Sequence, residues 1–171
     1  VARLVSTNVF VRVLGGAYRV ASAPDDSLSR CAAVCLSRPG LVIAGPTAAR
    51  LHELRRAPRD HRIHVIARPH AQPARAPWLV SYRTAMIAST SINTRADGIR
   101  LTTPARTVID MTRFVGSHDL ISMIEQGIDR GSFTSDAIRA VAEGIATPGR
   151  PFARHFIEVL DGTIPGGAAG S

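Results

Sequence analysis

Thr103-Pro104 separates two kinds of hydrophobic pattern, and any fold for this chain must accommodate both. Downstream, the threonine is a capping residue and the proline suits the first helical position. Val108, Met111 and Val115 then mark a buried stripe. A second helix is predicted from Ser117, with Leu120, Ile121, Ile124 and Ile128 on one face and Gly131 placed to stop it. Thr134 caps a third, which buries Ile138, Val141 and Ala142. After Thr147-Pro148-Gly149 a fourth carries Phe152, Phe156, Ile157 and Leu160, so the end of the chain reads as a helical cluster.

Upstream the pattern is mostly that of short strands. Val9–Val13 and Ala17–Val20 are β-type runs around Leu14-Gly15-Gly16, a turn whose glycines permit positive φ, and they read as a hairpin. Arg12 and Arg19 project among Val, Phe and Tyr along it, which suggests a ribbon with arginines on one face. Cap-type oxygens at Asp25, Asp26 and Ser27 precede Leu28, Cys31, Ala32, Cys35 and Leu36 at helical spacing, until Pro39-Gly40 ends the segment. Leu41–Ile43 reads as a brief buried strand or extended entry. Pro46 then opens a short helix over 47–54, and the helices around Leu41–Ile43 are expected to form a compact helical hairpin. His61–Ala67, Leu79–Tyr82, Ile87–Ala88, Ile92–Thr94 and Ile99–Leu101 follow at short intervals as a small antiparallel sheet, with a proline-rich exposed loop over 68–77. The fold class predicted is α+β.

At 171 residues, with 45% hydrophobic and 20% charged residues, the chain can bury one principal core, and global disorder is not expected. The charge of +8 is carried entirely by arginine: 21 Arg and no Lys. Codon usage in a GC-rich genome accounts simply for the missing lysine, but guanidinium still pairs bidentately with phosphate, carboxylate and guanine edges. The charge is lopsided. Residues 1–100 carry 15 arginines against five acids, and residues 101–171 carry six against eight. A basic half attracts a polyanion or an acidic protein surface, or is simply solvated.

Chemistry-bearing motifs are sparse. Cys31 and Cys35 form no Cys-x-x-Cys and read as small core residues. The six histidines make no paired metal-ligand motif, and His61 and His64, three apart on a strand, point to opposite faces, so no metal is expected. There is no GxSxG, GxGxxG or GxxxxGK[ST]. Asp97, Asp110 and Glu125 are scattered, without the clustering that holds Mg²⁺ in a nuclease. These observations point to a binding protein rather than an enzyme, with no cofactor, no catalytic residues and no small-molecule substrate. No apolar run reaches the roughly 20 residues that span a bilayer, and no signal-peptide core is present, so no membrane partner and a cytoplasmic location are expected.

The most specific stretch is Leu101 to Asp110. Arg106 and Asp110 are four apart on one helix face and can pair, so the segment reads as a cap with an orienting ion pair, or as a partner-binding element. This Thr-Thr-Pro-Ala-Arg-Thr-Val-Ile-Asp segment resembles the hallmark of AbiEi-type antitoxin regulators of bacterial type IV toxin–antitoxin systems. It is also similar to the N-terminal region of actinobacterial very-short-patch-repair-like endonucleases. Gly16-Ala17-Tyr18, the stretch from Pro46 to Leu54, and His61–Arg68 match in the same order, so the resemblance covers about residues 9–160.

The resemblance implies a winged-helix DNA-binding domain followed by an α+β antitoxin domain that represses its own operon and neutralises a nucleotidyltransferase-like toxin. Carried onto this chain, it gives a remnant of the wing hairpin over 1–22, an antitoxin-like domain over 23–161 and a flexible tail or linker over 162–171. The recognition helix should precede the hairpin, where this sequence has only Val1–Asn8. Arg3, Arg12 and Arg19 are assigned provisional phosphate contacts, with DNA and a cognate toxin as expected partners. Thr103, Pro104, Arg106, Thr107, Asp110, Arg50 and His52 are assigned structural or partner-binding roles. Two other readings are a non-catalytic N-terminal region of an endonuclease-like protein and a protein-interaction module that binds no DNA.

Overall fold

Gly16, at φ 89°, lets strands β1 (Phe10–Leu14) and β2 (Ala17–Val20) close into an antiparallel hairpin. The computed structural model describes residues 9–67, 71, 74–84, 87–147 and 150–163. Two compact units result, one made of residues 1–47 and 60–102, the other of 48–59 and 103–171.

In the first unit Asp26 caps helix α1 (Ser27–Ser37). Its carboxylate accepts the Ser29 N–H at 2.8 Å, while the Ser29 hydroxyl accepts the Asp26 N–H at 3.1 Å. The hairpin packs on this helix through its buried turn end, Leu14 and Ala17. The rest of the unit is a five-stranded sheet of β3 (Leu41–Ile43), β4 (Ile63–Ala67), β5 (Leu79–Arg83), β6 (Ile92–Thr94) and β7 (Arg100–Thr102). Their order is β5-β4-β3-β7-β6.

The sheet corrects the expected antiparallel arrangement. β3–β4 and β6–β7 are antiparallel, but β4–β5 and β3–β7 are parallel, so the sheet is mixed. Leu41–Ile43 is its central strand rather than an entry to a helical hairpin, which explains why all three residues are buried. β4 likewise buries four residues in succession, Ile63 to Ile66, instead of presenting a polar face. Ile87 is buried against Ala44, Ile66 and Ile92 but forms no strand. Cys31 and Cys35 are buried and form no disulfide, as small core residues do.

Helix α2 (Gly45–Leu51) crosses from one unit's sequence into the other's and ends three residues earlier than expected. The reason lies in its C-terminal bonds. Leu54 N–H donates to Ala49 O and Glu53 N–H to Arg50 O, with Glu53 at φ 54°, a left-handed stop in which glutamate stands where glycine is usual.

The second unit holds the predicted helical cluster, α3 (Pro104–Met111), α4 (Ser117–Asp129), α5 (Ser135–Ile145) and α6 (Pro151–Thr163). The Thr103 hydroxyl accepts the Arg106 N–H at 3.4 Å and the Thr134 hydroxyl the Ala137 N–H at 3.1 Å. Gly131 at φ 65° stops α4, with Ser132 N–H reaching back to Gly127 O. Val108, Ile109, Met111, Leu120, Met123, Ile124, Ile138 and Phe156 form the core. α6 runs through Gly162 to Thr163, and the remainder of the expected tail lies outside the described residues. No described helix is long and apolar enough to cross a membrane.

Candidate functional site

On an antiparallel ribbon, residues that face one another share a side, and successive residues alternate. Arg12 lies opposite Tyr18, whereas Arg19 lies opposite Val11. The two arginines therefore project from opposite faces, and the expected one-sided arginine ribbon does not form. Their environments differ as well. The Arg19 guanidinium is held by its own chain, donating to the carbonyl oxygens of Val20, Ala21 and Ala23. Arg12 is exposed and has neither an acidic nor a hydrogen-bond partner among the described residues. Its face carries Tyr18 and Val20, both more than 40% exposed, and the far face carries exposed Val9 and Val11. Arg3 lies outside the described residues.

Some of the other arginines of the basic half are already engaged, while Arg55 and Arg59 are exposed with no acid partner among the described residues. Arg30 pairs with Asp25 at 2.9 Å and stacks over the Trp78 ring, Arg62 pairs with Asp60 at 2.8 Å, and Arg95 pairs with Asp97 at 3.2 Å. Arg75 and Arg83 resemble Arg12: exposed, with no acid partner among the described residues.

The hallmark segment of the second unit is interior. Thr103 and Pro104 begin α3 as cap and first residue; Arg106, Thr107 and Asp110 are almost fully buried. Arg106 Nε donates to both Asp110 oxygens at 3.1 Å. Burial pushes the Asp110 carboxyl above its ordinary value, and the charge of Arg106 opposes that shift. Arg50, half-buried, donates to the Pro58 carbonyl at 3.3 Å, and His52, also half-buried, sits in the turn that ends α2. These residues are not gathered into one solvent-facing site. Arg106 and Asp110 meet each other, Thr103 caps α3, and Arg50 bonds to the Pro58 carbonyl.

One cluster escaped the sequence reading. His64, 2% exposed, places Nε2 2.8 Å from Asp60 Oδ2 and Nδ1 3.1 Å from the Tyr82 hydroxyl, with its ring stacked on Tyr82 at 5.8 Å between centroids. An ionised carboxylate only accepts, so Nε2 carries the hydrogen; in the neutral ring Nδ1 then accepts from Tyr82. Hydrogen bonds from Arg62, through Nε and Nη2 of its guanidinium and through its backbone N–H, hold the Asp60 carboxyl well below its ordinary value, and His64 adds to the effect. The His64 backbone N–H donates to Thr47 Oγ1 at 2.9 Å, and that hydroxyl donates to Arg62 O. The available signal was the two-residue spacing of Asp60, Arg62 and His64. Tyr82 needed the parallel register, which sets His64 opposite Val80 and Tyr82 two residues further along the same side. Both ring nitrogens are engaged, so the cluster fastens the start of β4 to β5.

No family model matches the chain, and no curated protein matches it. Among solved structures, the chain is similar to the crystal structure of the Rv2827c protein from Mycobacterium tuberculosis, at 16% sequence identity and a TM-score of 0.58. The match covers 93% of this chain and 64% of that one, so this chain spans less than two thirds of that protein's length. At this identity the likeness concerns the fold.

Proposed function

We propose that the chain is an AbiEi-like antitoxin or transcriptional-regulator module that acts by binding, with its hairpin contacting DNA phosphates and its α+β body available to a partner protein such as a toxin. The observation that carries this reading is the contrast between Arg12 and the hallmark segment. Arg12 is an exposed cation with no acid beside it among the described residues, whereas Arg106, Thr107 and Asp110 are buried in their own unit. Contact with a polyanion is therefore open to the hairpin, as it is to exposed Arg55, Arg59, Arg75 and Arg83, and closed to the buried segment, which maintains the fold. Phosphate contacts of this kind position a protein on nucleic acid without reading its sequence.

The test is a fluorescence-anisotropy titration of a duplex, taken from the promoter upstream of the chain's own gene, across a range of salt. Binding whose log K falls with log salt supports the reading, because each neutralised phosphate releases counterion. No binding at low salt, or binding indifferent to salt, overturns the DNA part. Co-purification of a neighbouring gene product by a chain that binds no DNA would instead favour the protein-interaction reading.

A further inference from the structure

The hairpin turn holds a second guanidinium beside that of Arg12. A single atom at the Cβ position of residue 15, which glycine leaves empty, would sit 3.1 Å from Arg38 Nη2 and 3.6 Å from Arg12 Nη2. Two cations therefore converge on one point above the turn. Neither forms an ion pair among the described residues. Arg38 is only partly engaged: its Nη1 donates to Gly15 O at 3.1 Å and Ser37 O at 2.8 Å, and among the described residues its Nη2 has no acceptor and its buried Nε has none either.

Arg100 is anchored at one end only, its Nε being buried without a partner among the described residues, as that of Arg38 is. It reaches the same end of α1, where its Nη2 donates to Cys35 O at 2.8 Å, and the carbonyl end of a helix favours such a cation. Arg38 Nη1 is held in the same way, but its Nη2 and the whole Arg12 guanidinium face each other over the turn with unfilled donors. Two guanidiniums held together without a carboxylate repel one another. An anion between them removes that repulsion and accepts from both forks, and a tetrahedral phosphate oxyanion presents several oxygens for the purpose.

We propose that Arg12 and Arg38, converging over Gly15, form an anion site for a phosphate group. Arg38 holds the site to helix α1 through Gly15 O and Ser37 O, and Arg12 supplies the mobile second fork. The inference rests on the DNA reading only in identifying the phosphate as one of a nucleic-acid backbone; a free phosphate has the same chemistry.

Two measurements separate these sources. In the first, inorganic phosphate is titrated into the labelled chain and the Nε–H resonances of Arg12 and Arg38 are followed by NMR. In the second, a duplex of arbitrary sequence is titrated across salt with wild type, Arg12→Gln, Arg38→Gln and Gly15→Ala. Gly15→Ala places a methyl group at the convergence point; Gly15 does not have a left-handed φ, so the backbone accepts alanine, and the flexible end of Arg38 must give by a few tenths of an ångström. Thermal melts verify folding, and Arg12→Gln is the decisive variant because Arg12 bonds to nothing described. The expected result is a saturable shift of both resonances by phosphate, lost in Gly15→Ala, and duplex binding whose salt slope drops by about one in each arginine variant. Phosphate shifts without any duplex binding would support the site and overturn the DNA reading. Duplex binding unchanged in slope and strength in folded Arg12→Gln, with no phosphate shifts, would overturn the site and leave the DNA reading standing. No response to either ligand overturns both.

Discussion

Arg106 Nε lies 3.1 Å from both carboxylate oxygens of Asp110, one helical turn away, and both side chains are almost fully buried in the second unit. An exposed pair at this spacing is worth only about 0.3–0.5 kcal/mol. Burial changes that balance. Removing one partner strands a desolvated charge, so Asp110→Asn or Arg106→Met alone is expected to cost about 3–5 kcal/mol in chemical denaturation. The double variant Arg106→Met with Asp110→Leu should recover most of that loss. A single-variant cost below about 1 kcal/mol would show that the pair does not hold the unit together.

Asp60 makes the acid side of the stability profile specific. Its carboxyl sits below the ordinary value of 3.8 because Arg62 and His64 favour the ionised form. The stabilisation is fully present above that value. As pH falls below it, the unfolded chain takes up the proton first, and stability declines until the folded carboxylate is protonated too. Thermal melts from pH 7 to pH 3 should show wild type losing stability faster than Asp60→Asn, which starts lower and changes less. Parallel profiles would remove Asp60 from the account.

Gln126 is 2% exposed and bridges α4 to the turn after α2: its Oε1 accepts the Arg55 N–H at 2.6 Å and its Nε2 donates to Glu53 O at 3.0 Å. Gln126→Leu keeps most of the volume but leaves those backbone groups unpaired, at an expected cost of about 1–3 kcal/mol by urea denaturation. Glu53→Gly should do the opposite. Relief of the left-handed conformation at φ 54° should stabilise by about 1 kcal/mol.

Gly127 lies within α4, where alanine would ordinarily raise helix stability by about 1 kcal/mol. A Cβ there would come within 2.1 Å of the Phe133 ring. Overpacking of this kind costs about 1–3 kcal/mol, so Gly127→Ala is expected to destabilise despite its propensity. Adding Phe133→Leu should restore part of the loss. Stabilisation by the single variant would mean that the ring moves freely aside.

The capped helices were legible in the sequence because their signals are local. Thr103, Thr134 and Gly131 act on atoms three to five residues away, and the apolar stripes of α3 to α6 repeat within a turn or two. Residue identity along a short stretch therefore determined the helical cluster, the hairpin turn at Gly16 and the possibility of an Arg106–Asp110 pair. Tertiary structure decided the rest. Leu41–Ile43 is the centre of a mixed sheet only because β4 and β7 flank it, and no local pattern encodes a parallel partner almost 60 residues away. Whether the Arg106–Asp110 pair is exposed or interior depends on what packs over α3. Arg12 and Arg19 looked equivalent by composition, but ribbon register put them on opposite faces. Backbone carbonyls then anchored Arg19, while the end of α1 brought Arg38 to Arg12. Local chemistry acts over a few bonds, whereas the character of a charge depends on atoms that only the folded chain brings near.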